Sequence, residues 1–287
     1  MRLLLTLILL SLIVGPGRPT TAPAQPTTPG RTGEFSDAFL DTTTVGHHKF
    51  GKVWQYEVDG LIYTRPTILH GVSIGGAIKN LVLVGTTNNT LYAFDADGQS
   101  LSPIWTRSLG RPMDCSQDGC GGLFASRFKF GILSTPAISS DARTLYVVAE
   151  TDLGPPGARN FAHMLFALDA RNGLTELRRT RIGGSAPSAA SSNPIVFDSL
   201  HHIQRPGLLV QNGTVYVGFG ANNDTAPFFG WVFAYDAVSL NPVGVYCSTC
   251  GVVTPGTSGG GGIWQAGGAL VGDGVNSVFF MTGNGVG

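Results

Sequence analysis

The sequence predicts an all-β fold made of small repeated sheets, and three observations carry that prediction. Glycine supplies 41 of the 287 residues while charged residues make up only 13%, against about 25% in ordinary soluble domains. Short β-branched or aromatic runs recur between Gly, Asn, Asp and Pro, the punctuation of strands and tight turns rather than helices. The runs also repeat: "RPTIL", "TPAIS" and "RPGLL" place Pro66, Pro136 and Pro206 at intervals of 70 residues, and a fixed period of this kind marks a repeat architecture.

The elements follow in chain order. Residues 1–24 read as a secretory signal, with Arg2 before an apolar core from Leu3 to Val14 and Ala22-Pro23-Ala24 as a small-residue cleavage site. That core is too short to span a bilayer, which takes about 20 residues, so no membrane span is expected after cleavage. Residues 25–46 are rich in Pro, Thr and Gly without apolar period and are expected to be a disordered leader. The predicted folded region is 47–287.

Within it, "KVWQYEVDG" (52–60) matches a fourth strand, with Trp54 in the place that Trp105 takes in the first complete unit. Each unit then runs through a Pro-led start and a buried second strand ("LVLVGT" at Leu81, "LYVVAE" at Leu145, "VYVGFG" at Val215, "VFFMTG" at Val278). An aromatic third strand ending in Asp follows ("LYAFDADG", "LFALDARNG", "VFAYDAVSL"), then a fourth, clearest in "IWTRSLG". "GGALV" from Gly267 opens a fourth unit.

Four short antiparallel strands in series define a blade of a β-propeller, in which stacking neighbours buries faces that one small sheet cannot bury alone. Asp95, Asp169 and Asp236 are then expected to cap turns by accepting backbone N–H bonds rather than to catalyse. The count gives an incomplete propeller, three blades and two strands of another, and so the N-terminal part of a longer protein.

"LYAFDADG…IWTRSLG" resembles the repeat of pyrroloquinoline-quinone (PQQ)-type propellers, and the resemblance extends over about residues 52–285. It fades after the first blade, where Leu177 and Gly244 stand in the Trp position. The resemblance implies a ring of seven or eight blades and, in the quinoprotein alcohol dehydrogenases, PQQ and Ca²⁺ at the axis. "GGIW" (Gly261, Gly262 and Trp264) resembles the stretch that lays an indole beneath the quinone, and "TGNG" resembles the one that gives Ca²⁺ an oxygen, here from Asn284. The carboxylate ligand of that family has no aligned counterpart near Thr225, and Asp224 is the nearest oxygen donor. A hard cation takes six to eight oxygens. The family's adjacent cysteine pair is absent, and its catalytic base aligns beyond Gly287.

The four cysteines fall as local pairs, Cys115 with Cys120 and Cys247 with Cys250. Export favours two disulfides; a four-thiolate zinc site is the competing reading. His47-His48 and His201-His202 are adjacent pairs, and neighbours on a strand face opposite ways, so neither pair chelates one metal. His70 and His163 are expected near loops. "GTSGGGG" lacks the Lys of a phosphate loop.

Asn88, Asn212 and Asn223 head Asn-x-Thr sequons, glycan acceptors only in a glycosylating secretory pathway. Balanced charge, 18 basic against 18 acidic residues, leaves no basic stripe for nucleic acid. Two functions compete. One is a secreted, non-catalytic module that meets a protein, glycan or small-molecule ligand through the long loops 111–130, 151–162 and 184–203. The other is the N-terminal part of a PQQ- and Ca²⁺-dependent dehydrogenase.

Overall fold

The computed structural model describes residues 45, 51–52, 54–100, 102–114, 129–155, 158–188, 192–222, 224, 227–251 and 259–285. The signal segment, the leader apart from Val45, His47, His48, Cys115, Cys120 and Asn223 lie outside the described residues.

Each Pro-led repeat folds into one antiparallel sheet with strands in sequence order. Blade one pairs Thr67–Ile74, Ala77–Gly85, Thr90–Asp95 and Trp105–Ser108, and blade two pairs Ala137–Ile138, Thr144–Asp152, Phe161–Asp169 and Glu176–Arg181. Blade three pairs Leu209–Gln211, Thr214–Ala221, Trp231–Asp236 and Pro242–Cys247, with His202–Ile203 added beside Gly220 and Ala221. A fourth, partial unit pairs Val271–Gly272 with Val278–Phe279 and Gly260–Gly262 with Gly283–Gly285. The described residues contain no helix, and the run of sheets does not close.

Alternation along the strands explains the stacking. In Thr144–Asp152, Leu145, Val147 and Ala149 join the core shared with blade one, while Tyr146 and Val148 join the core shared with blade three. Side chains two apart share a face, so a strand sandwiched between blades reads as a continuous apolar run. The blade starts also meet one another: Thr135 Oγ1 accepts from Arg65 N at 2.9 Å, Thr135 O accepts from Leu208 N at 3.0 Å, and Gly268 O accepts from Gly207 N at 2.8 Å.

The predicted caps are present at every third-strand turn. Asp95 Oδ1 accepts from Asp97 N at 3.0 Å, Asp169 Oδ1 from Arg171 N at 2.9 Å, and Asp236 Oδ1 from Val238 N and Ser239 N at 3.1 and 2.7 Å. The same turns hold the joint between blades. A Cβ at Gly173 (φ +59°) would lie 2.4 Å from the Trp105 ring, and one at Gly98 (φ +68°) would lie 2.6 Å from Trp54. Each Trp thus lies over a left-handed glycine in the following blade's turn. Where Leu177 replaces the Trp, the left-handed residue is Leu240 (φ +56°), whose own side chain is buried in the core between blades two and three.

Residues 52–60 depart from the strand reading. None pairs in a ladder among the described residues; Trp54, Tyr56 and Val58 instead lie on the face of blade one formed by Val82, Val84 and Phe94. Side-chain docking and the Asp59 carboxylate, which accepts from Thr86 Oγ1 at 2.8 Å and also from Thr90 Oγ1, hold the segment in place of ladder bonds. Trp54 nevertheless occupies the Trp position that the repeat assigned to it.

Cys247 and Cys250 form a disulfide at the end of the outer strand of blade three, which decides between disulfide and thiolate for that pair. Replacing both by serine is expected to lower stability by about 2 kcal/mol, the chain-entropy value for so short a loop, measured as a shift in denaturant midpoint.

Candidate functional site at the long-loop end

The second-to-third strand turns and the connections between blades gather at one end of the sheets. Two of the long connections are hairpins at their bases, Met113–Asp114 with Lys129–Phe130 and Ser185–Ala186 with Ile195–Val196. The first is tied to blade two, where Asp152 N donates to Arg111 O at 2.8 Å and the Arg111 guanidinium meets the Asp152 carboxylate at 2.7 Å. Asp152 Oδ1 accepts from Gly154 N and Asn160 N at 2.9 and 3.0 Å and so holds these two residues together. Under these loops Met113, Phe130, Leu133 and Ile203 form a small core, with Phe161 and Trp264 packed against it.

Trp264 is half-buried in this layer. Its ring comes so close to Gly220 and Gly262 that a Cβ at either would sit 3.0 or 3.1 Å from indole atoms, and its Nε1–H is buried without a hydrogen-bond partner. Gly261 and Gly262 are held by their own neighbours. Gly261 has φ +69°, its carbonyl accepts from Ser248 Oγ at 3.0 Å, and a Cβ on Gly262 would meet the Gly220 backbone at 3.2 Å. Asn284 belongs to the strand paired with Gly260–Gly262, and Asp224 is exposed in the loop after the second strand of blade three with φ +53°.

The donor set decides whether these residues fit a quinone with Ca²⁺. Among the described residues no three Asp, Glu, His or Cys side chains gather. By residue type Asn284 and Asp224 offer two side-chain oxygens, where Ca²⁺ takes six to eight. The indole of Trp264 lies on apolar side chains and glycine backbone of this chain. Among the described residues this donor set falls short of what Ca²⁺ takes, and no chemical step is derived through the pair.

The same end holds three buried titratable side chains, Glu150, His163 and His202. Glu150 and His163 face each other across the second and third strands of blade two, with His163 Nε2 and Glu150 Oε1 4.0 Å apart. Both are at most 2% exposed. Alternation places them on the face toward blade three, where His163 meets the rings of Phe219 and Phe197 at 4.9 and 6.1 Å. Both histidines expected near loops therefore lie inside strands, His163 buried in Phe161–Asp169 and His70 exposed in Thr67–Ile74. Of the adjacent pair, His202 is buried at 2% and His201 reaches the carboxylate of Asp198.

Burial governs the protonation of all three. It raises the Glu150 carboxyl well above its ordinary range, and no protein group hydrogen-bonds its Oε1. It lowers His163 and His202 each to about 4. A raised carboxyl pKa means that stability falls as pH rises from the ordinary carboxylate value toward the folded-state value. Glu150→Gln removes a buried carboxylate oxygen without a partner and is accordingly expected to raise stability at pH 7.5 by about 1–3 kcal/mol and to change it little at pH 4, compared by thermal unfolding at the two pH values.

No protein-family model matches the sequence, and no curated protein matches it. Among solved structures, the chain is similar to the quinohemoprotein alcohol dehydrogenase ADHIIG from Pseudomonas putida HK5, at 18% identity and a TM-score of 0.50 over 80% of this chain and 29% of that one. It is also similar to a europium-containing methanol dehydrogenase (16%, TM-score 0.44, 69% of this chain and 27% of that one). BamB from Moraxella catarrhalis matches at 13% and a TM-score of 0.25 over 84% of this chain and 80% of that one.

The first likeness, together with the blade topology, gives the fold: a β-propeller whose described sheets do not close into a ring. The chain spans 29% of the length of the alcohol dehydrogenase. No helix among the described residues is long and apolar enough to cross a membrane.

Proposed function

We propose that the chain is an exported, non-catalytic binding module that meets a protein, glycan or small-molecule partner through its long-loop end. One observation carries the reading: the indole that resembles a quinone floor lies on the chain's own apolar side chains and glycine backbone, and among the described residues no three Asp, Glu, His or Cys side chains gather. Function on rigid scaffolds concentrates in the connecting loops, and the two hairpins, the first anchored to blade two through Arg111 and Asp152, supply such loops. The apolar segment Leu3–Val14 and the Cys247–Cys250 disulfide support export, because disulfides persist in oxidising compartments.

The competing dehydrogenase reading is tested by titrating the full chain with PQQ in the presence of excess Ca²⁺ while following indole fluorescence. The binding-module reading expects no saturable quenching. Saturable, Ca²⁺-dependent quenching that disappears in Trp264→Phe overturns it in favour of quinone chemistry.

A further inference from the structure

His202 sits where three pieces of chain meet, and the directions of its hydrogen bonds fix its state. Phe229 N and Trp231 Nε1 both donate to its Nε2, each at 3.1 Å. An atom that accepts two N–H bonds carries a lone pair, so the ring proton is on Nδ1, which donates to Asp198 O at 2.7 Å. The backbone carbonyl of His202 accepts from His163 Nε2 at 3.0 Å. One neutral imidazole thus ties segment 197–204 to the start of the third strand of blade three, and its carbonyl ties that segment to blade two.

We propose that His202 is an acid-released latch: a proton taken up from solvent at Nε2 breaks both accepted bonds and releases the ring from the start of the third strand of blade three, while the ladder pairing of His202 and Ile203 with Ala221 and Gly220 remains. The step needs nothing else, since Nε2 gains a proton and the Phe229 and Trp231 N–H groups lose their acceptor. An added N–H at Nε2 would point at two other N–H groups, so the closed arrangement cannot hold the cation.

The groups around the ring do not reverse this. From blade two come His163 and, beyond it, Glu150; from blade three comes the Trp231 ring; from its own segment come Asp198, His201 and the Phe197 ring, whose centroid lies 4.9 Å from that of His202. Asp198 favours the cation, yet burial dominates and holds the imidazole at about 4. Opening therefore takes up a proton between the ordinary histidine value of about 6.5 and 4, and falling pH favours the open form. The consequence for a partner rests on the proposed role of the long-loop end; the conformational change itself does not.

The test compares hydrogen exchange of the Phe229 amide, corrected for intrinsic rate, at pH 7.5 and pH 5 in the wild-type chain and in His202→Gln. Glutamine keeps an acceptor oxygen for the two N–H groups and does not titrate. The pH-dependent loss of protection is expected to be about 30-fold larger in the wild type, while equal pH dependence in both chains overturns the latch.

If the variant does not fold, ¹⁵N-histidine spectra of the wild type decide. Proton gain at His202 Nε2 coinciding with loss of Phe229 protection supports the latch, and a protonated His202 with Phe229 still protected overturns it. Either structural result stands apart from quinone titration, so failure of the latch is distinguishable from failure of the binding-module reading.

Discussion

Replacing Trp231 with alanine is expected to lower the stability of the chain by about 4 kcal/mol, the cost of emptying a fully buried tryptophan site. Trp231 is 0% exposed in the core between blades two and three. Its ring stacks on Phe233 at 5.7 Å and meets Phe197 edge-on at 5.9 Å, so the cavity would be lined by rigid rings with little freedom to collapse. The indole N–H also satisfies His202 Nε2, and truncation removes one of that nitrogen's two donors. Trp231→Phe keeps most of the packing and is expected to cost less than half as much. Denaturant midpoints for the two variants measure the difference.

The second large effect belongs to a residue with no side chain. Gly173→Ala is expected to cost about 2–4 kcal/mol: about 1 for placing a Cβ at a left-handed φ, and the rest for overpacking a filled space. The Cβ would sit 2.4 Å from Cη2 and Cζ3 of Trp105, and that ring is 7% exposed. Arg107, one turn of the pleat further on, adds a tie across the same seam at 2.7 Å to Glu176. Both side chains of this pair are half-buried, and it adds to the Trp105 joint rather than replacing it. Equilibrium unfolding of Gly173→Ala against wild type measures the cost.

The blades were legible because stacking imposes period two and a common turn on every repeat. "LYAFDADG" and "LFALDARNG" contain the alternation, the capping Asp and the left-handed Gly in sequence order. Segment 52–60 was legible only in part. Trp54 reads correctly because the repeat fixes its place over the glycine of the next turn, Gly98, whereas ladder pairing depends on a neighbouring strand that the segment's own residues do not specify.

The loop end was less legible still. Glu150 and His163 stand inside apolar runs, "LYVVAETD" and "FAHMLFALD", and the signal was a polar residue at a same-face position in each of two strands that pair. Only register turns those two positions into one site. His202 carried no such signal: its importance comes from Phe229 N and Trp231 Nε1, groups 27 and 29 residues away. "GGIW" looked like a cofactor motif, and the close approach of Gly262 to Gly220 gives its glycines a packing reason that sequence alone does not contain.

Like blades lock by a tryptophan over a left-handed glycine, making the rigid platform on which the long-loop end is built. A double-mutant cycle on Trp105 and Gly173 tests it most directly. Trp105→Ala opens the space needed by the methyl group that Gly173→Ala introduces. The double variant is therefore predicted to be more stable than the sum of the single costs by about 1–3 kcal/mol. Additive costs would contradict the joint and leave the two residues as independent neighbours.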